Sequence, residues 1–347
     1  MTIESLEKQL KENKLNSIYL LYGEELFLLE SSLKRIKSLF VQEIGECVQG
    51  INYISIDDQN VKEIIANIET PSFGYEKKLI IARNTNIFKK EGKRKSQEIE
   101  NIKEKLNSYI EENIDTINDS VVIVFVEEDV DTKQALYKQI EKNGVVCKFN
   151  YQKPIQIQQR IKSICNGYKV NIEPQTLNYF IEECGTNMQE LVNEIRKLIE
   201  YVGSNGTIKK EDIDKLSIKK IESVIFDLTD NLGKKNIGQA LEVLKELIYQ
   251  KEPLQKILVT LYNHFKKLYI TKIAIENNKD INSSLNLKPN QTFLTNKYKY
   301  QAKYFKNQDL RNIIQDLYDL DYNSKNGIMD LQIGMETILC RYCADLY

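Results

Sequence analysis

Five short apolar runs in the first 150 residues limit this chain most. They are Ile18–Tyr22, Tyr53–Ile56, Leu79–Ala82, Val121–Val126 and Val145–Phe149. Helical patterns fall between them, near 25–40, 60–69, 96–112 and 131–142. Continuous apolar strands need cover on both faces, and helices between strands supply it, so the pattern predicts a parallel α/β sheet. The longest uninterrupted apolar run, Val121–Val126, is far shorter than the ~18 residues that suggest a membrane span. The N-terminal residues carry acids and no apolar core segment, so no secretory signal is expected and the chain reads as soluble and cytoplasmic.

After Lys153-Pro154 the β signal fades. Residues 151–216 read as a small helical unit. Thr186-Asn-Met-Gln189 has the form of a capping box, opening an apolar face of Met188, Leu191, Val192, Ile195, Leu198 and Ile199, with Gly203 as the stop. Residues 217–347 are helical again, broken by a polar loop near 277–290. The predicted organisation is an α/β domain over 1–150, a helical lid over 151–216 and a helical domain over 217–347. A chain of 347 residues can bury two or three such cores.

Composition removes several classes of chemistry. Forty-nine basic residues face fifty acidic ones, giving a net charge of −1, which excludes a strongly basic nucleic-acid binder. The six cysteines, at 47, 147, 165, 184, 340 and 343, are scattered. Cys340-Arg-Tyr-Cys343 has no second pair, so isolated buried thiols are the simpler reading than zinc or redox chemistry. The only histidine, His264, lies beside an apolar helical face of Leu254, Ile257, Leu258, Leu261, Phe265 and Leu268. It reads as an ordinary histidine, and no metal site or histidine-based triad is expected.

A phosphate-binding loop would follow the first strand, at Gly23-Glu24-Glu25. That loop needs G-x-x-x-x-G-K-[ST], so that backbone N–H groups, a lysine and a metal-binding hydroxyl converge on phosphate. Here two carboxylates follow Gly23, and no G-K-[ST] occurs in the chain. Glu127 and Glu128 end the fourth run, where acids would hold a metal and a water, but they have no phosphate loop to serve. The five residues Gly23, Glu24, Glu25, Glu127 and Glu128 read as a degenerate nucleotide site. No ATP hydrolysis and no bound cofactor are expected.

The chain resembles the delta subunit family of bacterial DNA polymerase III over nearly its whole length. The likeness rests on Ile18-Tyr-Leu-Leu-Tyr-Gly-Glu-Glu-Leu-Phe-Leu-Leu-Glu30, on Pro71-Ser-Phe-Gly-Tyr-Glu-Lys-Lys-Leu-Ile-Ile-Ala-Arg-Asn84 and on Gly167-Tyr-Lys-Val-Asn-Ile172. It continues through Gly185-Thr-Asn-Met-Gln-Glu-Leu-Val-Asn-Glu-Ile-Arg-Lys-Leu198 and Tyr322-Asn-Ser-Lys-Asn-Gly327. The family's usual tryptophan near residue 160 is missing, since the chain has none. The resemblance implies an AAA+-like fold without a working ATP site, in a non-catalytic subunit of the polymerase III holoenzyme. It implies a role in opening the β sliding clamp for loading onto primed DNA. The implied partners are the clamp, the ATPase (gamma/tau) subunits, the delta-prime subunit and primer–template DNA, with the C-terminal helices forming a collar. The implied clamp-binding tip is Pro71, Ser72, Phe73 and Gly74.

Two basic stretches stand apart. Lys89–Lys95 includes Lys93, Arg94 and Lys95, and residues 287–307 interleave Lys297 and Lys299 with Tyr298, Tyr300, Tyr304 and Phe305. Cations among aromatics suit single-strand contact, while a solvated loop and an amphipathic helix are the simpler readings. Two further functions remain open at this point: a divergent AAA+-like ATPase, and a helical scaffold unrelated to replication.

Overall fold

Apolar runs with no polar alternation cannot show a face to water, and here they form the central strands of a parallel sheet. In the computed structural model, which describes residues 1–90 and 97–344, the strands are β1 (Ile18–Tyr22), β2 (Tyr53–Ile56), β3 (Lys78–Arg83), β4 (Val121–Glu127) and β5 (Val145–Lys148). Their order is β2-β3-β4-β1-β5, every pairing is parallel, and Leu20 lies opposite Phe125 and Val146. The helices of this unit are α1 (Ile3–Lys11), α2 (Leu26–Ile44), α3 (Ile64–Glu69), α4 (Gln97–Glu112), α5 (Ile114–Ser120) and α6 (Ala135–Asn143).

Side chains alternate between two cores. Tyr19, Leu21, Ile81, Val124 and Cys147 face α1 and α2 on one side. Leu20, Ile80, Ile123 and Phe125 face α3, α4, α5 and α6 on the other. The helices that follow the adjacent strands β1 and β4 therefore leave on opposite faces. This is the topological switch point of a doubly wound sheet, where the strands' carboxyl ends open a crevice.

The chain divides into two compact units, residues 1–151 and 152–347. The second contains α7 (Pro154–Gly167), α8 (Pro174–Cys184), α9 (Met188–Val202), α10 (Lys210–Leu216), α11 (Ile221–Gly233) and α12 (Ile237–Tyr249). It continues with α13 (Leu254–Glu276), α14 (Ile281–Ser284), α15 (Leu294–Gln301), α16 (Asn307–Lys325) and α17 (Leu331–Cys343). The architecture is thus α/β followed by all-α. Two details depart from the sequence reading. Asn187, not Thr186, caps α9 by accepting from Glu190 N at 3.1 Å, while Thr186 accepts from Asn290 Nδ2 at 3.0 Å. β structure also persists past residue 153, as a parallel pair of two-residue strands, β6 (Asn171–Ile172) and β7 (Thr207–Ile208).

Within this unit the α8 and α11 helices meet through a buried carboxylate. Glu183 accepts from Ser223 Oγ at 3.0 Å and pairs with Lys219 at 3.2 Å, and its backbone carbonyl receives Lys220 N at 2.8 Å. A charge taken out of water needs such partners to be tolerated. Among the described residues, no helix is long and apolar enough to cross a membrane.

Candidate functional site

The segment between α3 and β3 presents an aromatic ring to solvent on a well-held root. Phe73 is 89% exposed, and Pro71 and Gly74 beside it are exposed as well. Gly74 has φ +76°, a left-handed conformation that glycine adopts without steric cost. Ser72 Oγ donates to Tyr75 O at 2.7 Å, closing the turn across Phe73. On one side Thr70 N and Thr70 Oγ1 both donate to Ala66 O, at 3.0 and 2.7 Å. On the other side Lys77 Nζ donates to Asn118 O at 2.7 Å and the chain enters β3. Ile64 and Ile68 bury α3 against the sheet. A loop held in this way costs little further entropy when a partner covers its tip.

Lys78 was hidden from sequence reasoning. It opens β3 and is 3% exposed, and its Nζ donates to Asn67 O at 3.0 Å and Thr70 O at 2.5 Å. In the sequence it stands beside Glu76 and Lys77, just before the apolar run Leu79–Ala82.

The residues read as a degenerate nucleotide site follow two adjacent strands, Gly23, Glu24 and Glu25 after β1 and Glu127 and Glu128 at the end of β4. Gly23 N donates to Glu127 O at 3.2 Å, and Glu25 N to Phe149 O at 2.9 Å. Both N–H groups are thus spent on neighbouring strands, where a phosphate loop would aim them at an anion. Gly23 has φ +129°, and a Cβ there would lie 2.4 Å from Phe149 O, so only glycine fits. Glu24 and Glu128 are exposed, and Glu25 is buried in the first turn region of α2. Glu127 is buried and accepts from Thr85 N at 2.9 Å and Thr85 Oγ1 at 2.5 Å. Burial raises its pKa, and the Thr85 hydrogen bonds partly offset this. A carboxylate so engaged is a structural brace.

Lys93, Arg94 and Lys95 lie outside the described residues. Lys297 pairs with Glu182 at 2.7 Å and stands 5.7 Å from the Phe226 ring, while Lys299 is exposed. The interleaved aromatics are committed elsewhere. Tyr298 and Phe305 are core residues, and Tyr300 packs edge-on against Tyr304 at 5.3 Å. The stretch is no single helix either, for α15, two short 3-10 turns and the start of α16 divide it.

His264 is buried in the helical unit. Its Nε2 lies 2.8 Å from Gln301 Oε1 and 3.0 Å from Thr229 Oγ1. Gln301 Nε2 donates to Phe226 O and Asp230 Oδ1, which leaves Gln301 Oε1 to accept and assigns the proton of the neutral imidazole to Nε2. Burial pushes the His264 pKa down to about 3. The expected burial of the Cys340–Cys343 thiols fails at Cys340, which is exposed on α17, while Cys343, one turn further on, is partly buried against the helical core. Among the described residues no group of three or more His, Cys, Asp and Glu side chains is arranged to hold a metal ion.

The helical unit carries several exposed apolar side chains. Gln255 Nε2 donates to Asp321 Oδ1, joining the start of α13 to the end of α16. Tyr318 and Tyr322 on α16, Ile328 and Met329 after it, Ile333 on α17 and Val259 on α13 are exposed. Tyr262 and Tyr269, which flank the apolar face of α13 in the sequence, pack against the core instead, and Tyr269 OH accepts from Arg311 Nε at 2.7 Å.

Comparison with known proteins agrees with this layout. The family model described as DNA polymerase III, delta subunit, matches residues 19–150, and the model of that subunit's C-terminal domain matches residues 222–342. DNA polymerase III subunit delta of Bacillus subtilis (strain 168) is 25% identical over 339 residues, spanning 96% of this chain and 94% of that protein. The probable DNA polymerase III subunit delta of Aquifex aeolicus (strain VF5) is 27% identical over 327 residues, spanning 90% and 87%. The solved structure of the Bacillus subtilis DNA clamp loader delta protein shares the fold, with a TM-score of 0.75 and 24% identity over 99% of both chains. Family models thus take in the sheet unit and the helical bundle in turn, and the chain belongs to the DNA polymerase III delta subunit family.

Proposed function

We propose that this chain is a non-catalytic clamp-loader subunit that binds and opens the β sliding clamp for loading onto primed DNA. The observation that carries the reading is Phe73, 89% exposed at the head of a turn whose root is hydrogen-bonded on both sides. An exposed aromatic ring costs hydration free energy unless a partner covers it, and rigidly held aromatics are the usual anchors of interfaces. In this reading Pro71, Ser72, Phe73 and Gly74 seat against the clamp. Residues 1–150 supply the clamp contact, 151–216 a lid, and 217–347 a collar that joins the gamma/tau ATPase subunits and the delta-prime subunit in the cytoplasm.

The spent N–H groups of Gly23 and Glu25 support a subunit that leaves nucleotide chemistry to its partners. With a net charge of −1, contact with primer–template DNA belongs to the assembled loader, because phosphate contacts by cations dominate such affinity. The test is size-exclusion chromatography of the chain mixed with purified β clamp. Co-elution supports the reading. Separate elution of the two proteins at concentrations well above the strength expected of a standard interface would overturn it.

A further inference from the structure

We propose that Lys78 is a positioning residue for the Phe73 tip, its buried ammonium pinning the last carbonyls of α3 and so fixing the root from which Phe73 projects. The inference rests on the clamp-binding reading above. Lys78 is the first residue of a strand that continues Leu79-Ile80-Ile81-Ala82, and it lies in register with Val121 of β4. An aliphatic side chain would fill this place without losing hydration, whereas a buried ammonium is costly unless its donors are met. Here two are met, by Asn67 O at 3.0 Å and Thr70 O at 2.5 Å.

The acceptors explain the lysine. The last carbonyls of a helix have no partner within it and carry the negative end of its dipole, so a cation there is doubly favourable. The six residues of α3 include no basic side chain in the last turn. Lys78 supplies the missing cation from the sheet. Thr70 directly precedes Pro71, so this bond ties the chain to β3 one residue before the tip begins. The Ser72–Tyr75 hydrogen bond then closes the turn from its far side. Phe73 itself touches none of these groups by hydrogen bonding, so Lys78 acts on it through the backbone. A tip fixed before contact loses less freedom on binding.

The test uses the full chain, the β clamp and four variants: Lys78→Met, Lys78→Arg, Phe73→Ala and the double Lys78→Met/Phe73→Ala. Surface plasmon resonance reads affinity, and hydrogen exchange by mass spectrometry reads residues 66–76 without any clamp. Lys78→Met should weaken clamp binding on the order of tenfold, the equivalent of about one charge-assisted hydrogen bond. It should also speed exchange across 66–76, and Lys78→Arg, which keeps the donors, should recover most of both. Because Lys78 acts through the tip, Phe73→Ala should cost less in the Lys78→Met background than alone. Wild-type affinity and exchange in a folded Lys78→Met variant would overturn the proposal, as would strictly additive losses. If Phe73→Ala binds normally, the clamp-binding reading fails, and unchanged exchange in Lys78→Met then separately refutes the pinning. Should Lys78→Met not fold, Lys78→Gln, which keeps two N–H donors but loses the charge and part of the reach, is judged by the same two outcomes.

Discussion

Glu127 is bound twice by Thr85, through the backbone N–H at 2.9 Å and the hydroxyl at 2.5 Å, across 42 residues of sequence. The pair joins the end of β4 to the loop after β3, and burial holds the Glu127 pKa above the ordinary carboxylate value. A carboxyl whose pKa is raised on folding binds more protons in the native state, so it lowers stability as pH rises through its titration. Glu127→Gln removes that dependence. Its stability relative to the wild type should improve as pH climbs from about 4 towards neutrality, in urea melts at a series of pH values. A constant difference between the two proteins would contradict the assignment.

Since the N–H groups of Gly23 and Glu25 donate to Glu127 O and Phe149 O, the isolated chain should bind ATP poorly and turn none over. A coupled phosphate-release assay reads this. Turnover by the purified chain that disappears on changing Glu127 and Glu128 would show a working site.

The only histidine of the chain gives a second pH signature. With the His264 pKa pushed down to about 3 by burial, the unfolded state takes up a proton first as pH falls below the ordinary histidine value of about 6.5. Stability contributed by the neutral ring is therefore full above that value and lost as pH drops towards 3, by up to about 1.4 kcal/mol per pH unit. His264→Gln should flatten this slope. The single imidazole C2–H resonance of the native protein should not shift between pH 8 and 5, roughly the range over which an exposed ring titrates. A shift centred near the ordinary value would place the ring in water.

Tyr322 on α16 and Ile333 on α17 are both exposed. Exposed apolar surface of this kind commonly meets a partner. Tyr322→Ser with Ile333→Ser should weaken association with the loader ATPase subunits on the order of tenfold or more, measured by analytical ultracentrifugation, while the thermal melt stays within a few degrees. Full association would move the collar contact elsewhere.

The sheet was legible because β1, β3 and β4 are apolar runs buried on both faces, while the edge strand β2 is half-buried, and Ile18–Tyr22 and Tyr53–Ile56 carry the same bounds in sequence and structure. The tip at Pro71–Gly74 came from the family resemblance, and the structure exposes the Phe73 ring there. What stayed hidden depends on contacts distant in sequence. Lys78 looks like a surface lysine until the carbonyls of Asn67 and Thr70 fold over it. Glu127 looks aimed at a phosphate site until Thr85 claims it. Thr186 and Asn187 are both good caps, and only the position of Asn290 shows which is free to serve α9. Strands as short as β6 and β7 have no period to read.

The most direct test of the account is the affinity of Phe73→Ala for the β clamp by surface plasmon resonance, run beside a thermal melt. Burying a phenylalanine side chain contributes roughly 1.5–3 kcal/mol, and truncating a central aromatic anchor commonly costs about 2 kcal/mol or more. The account predicts a dissociation constant raised on the order of 30-fold or more, with an unchanged melt, since a ring 89% exposed adds little to the core. An unchanged dissociation constant, or a loss of binding that follows a collapsed melt, would contradict it.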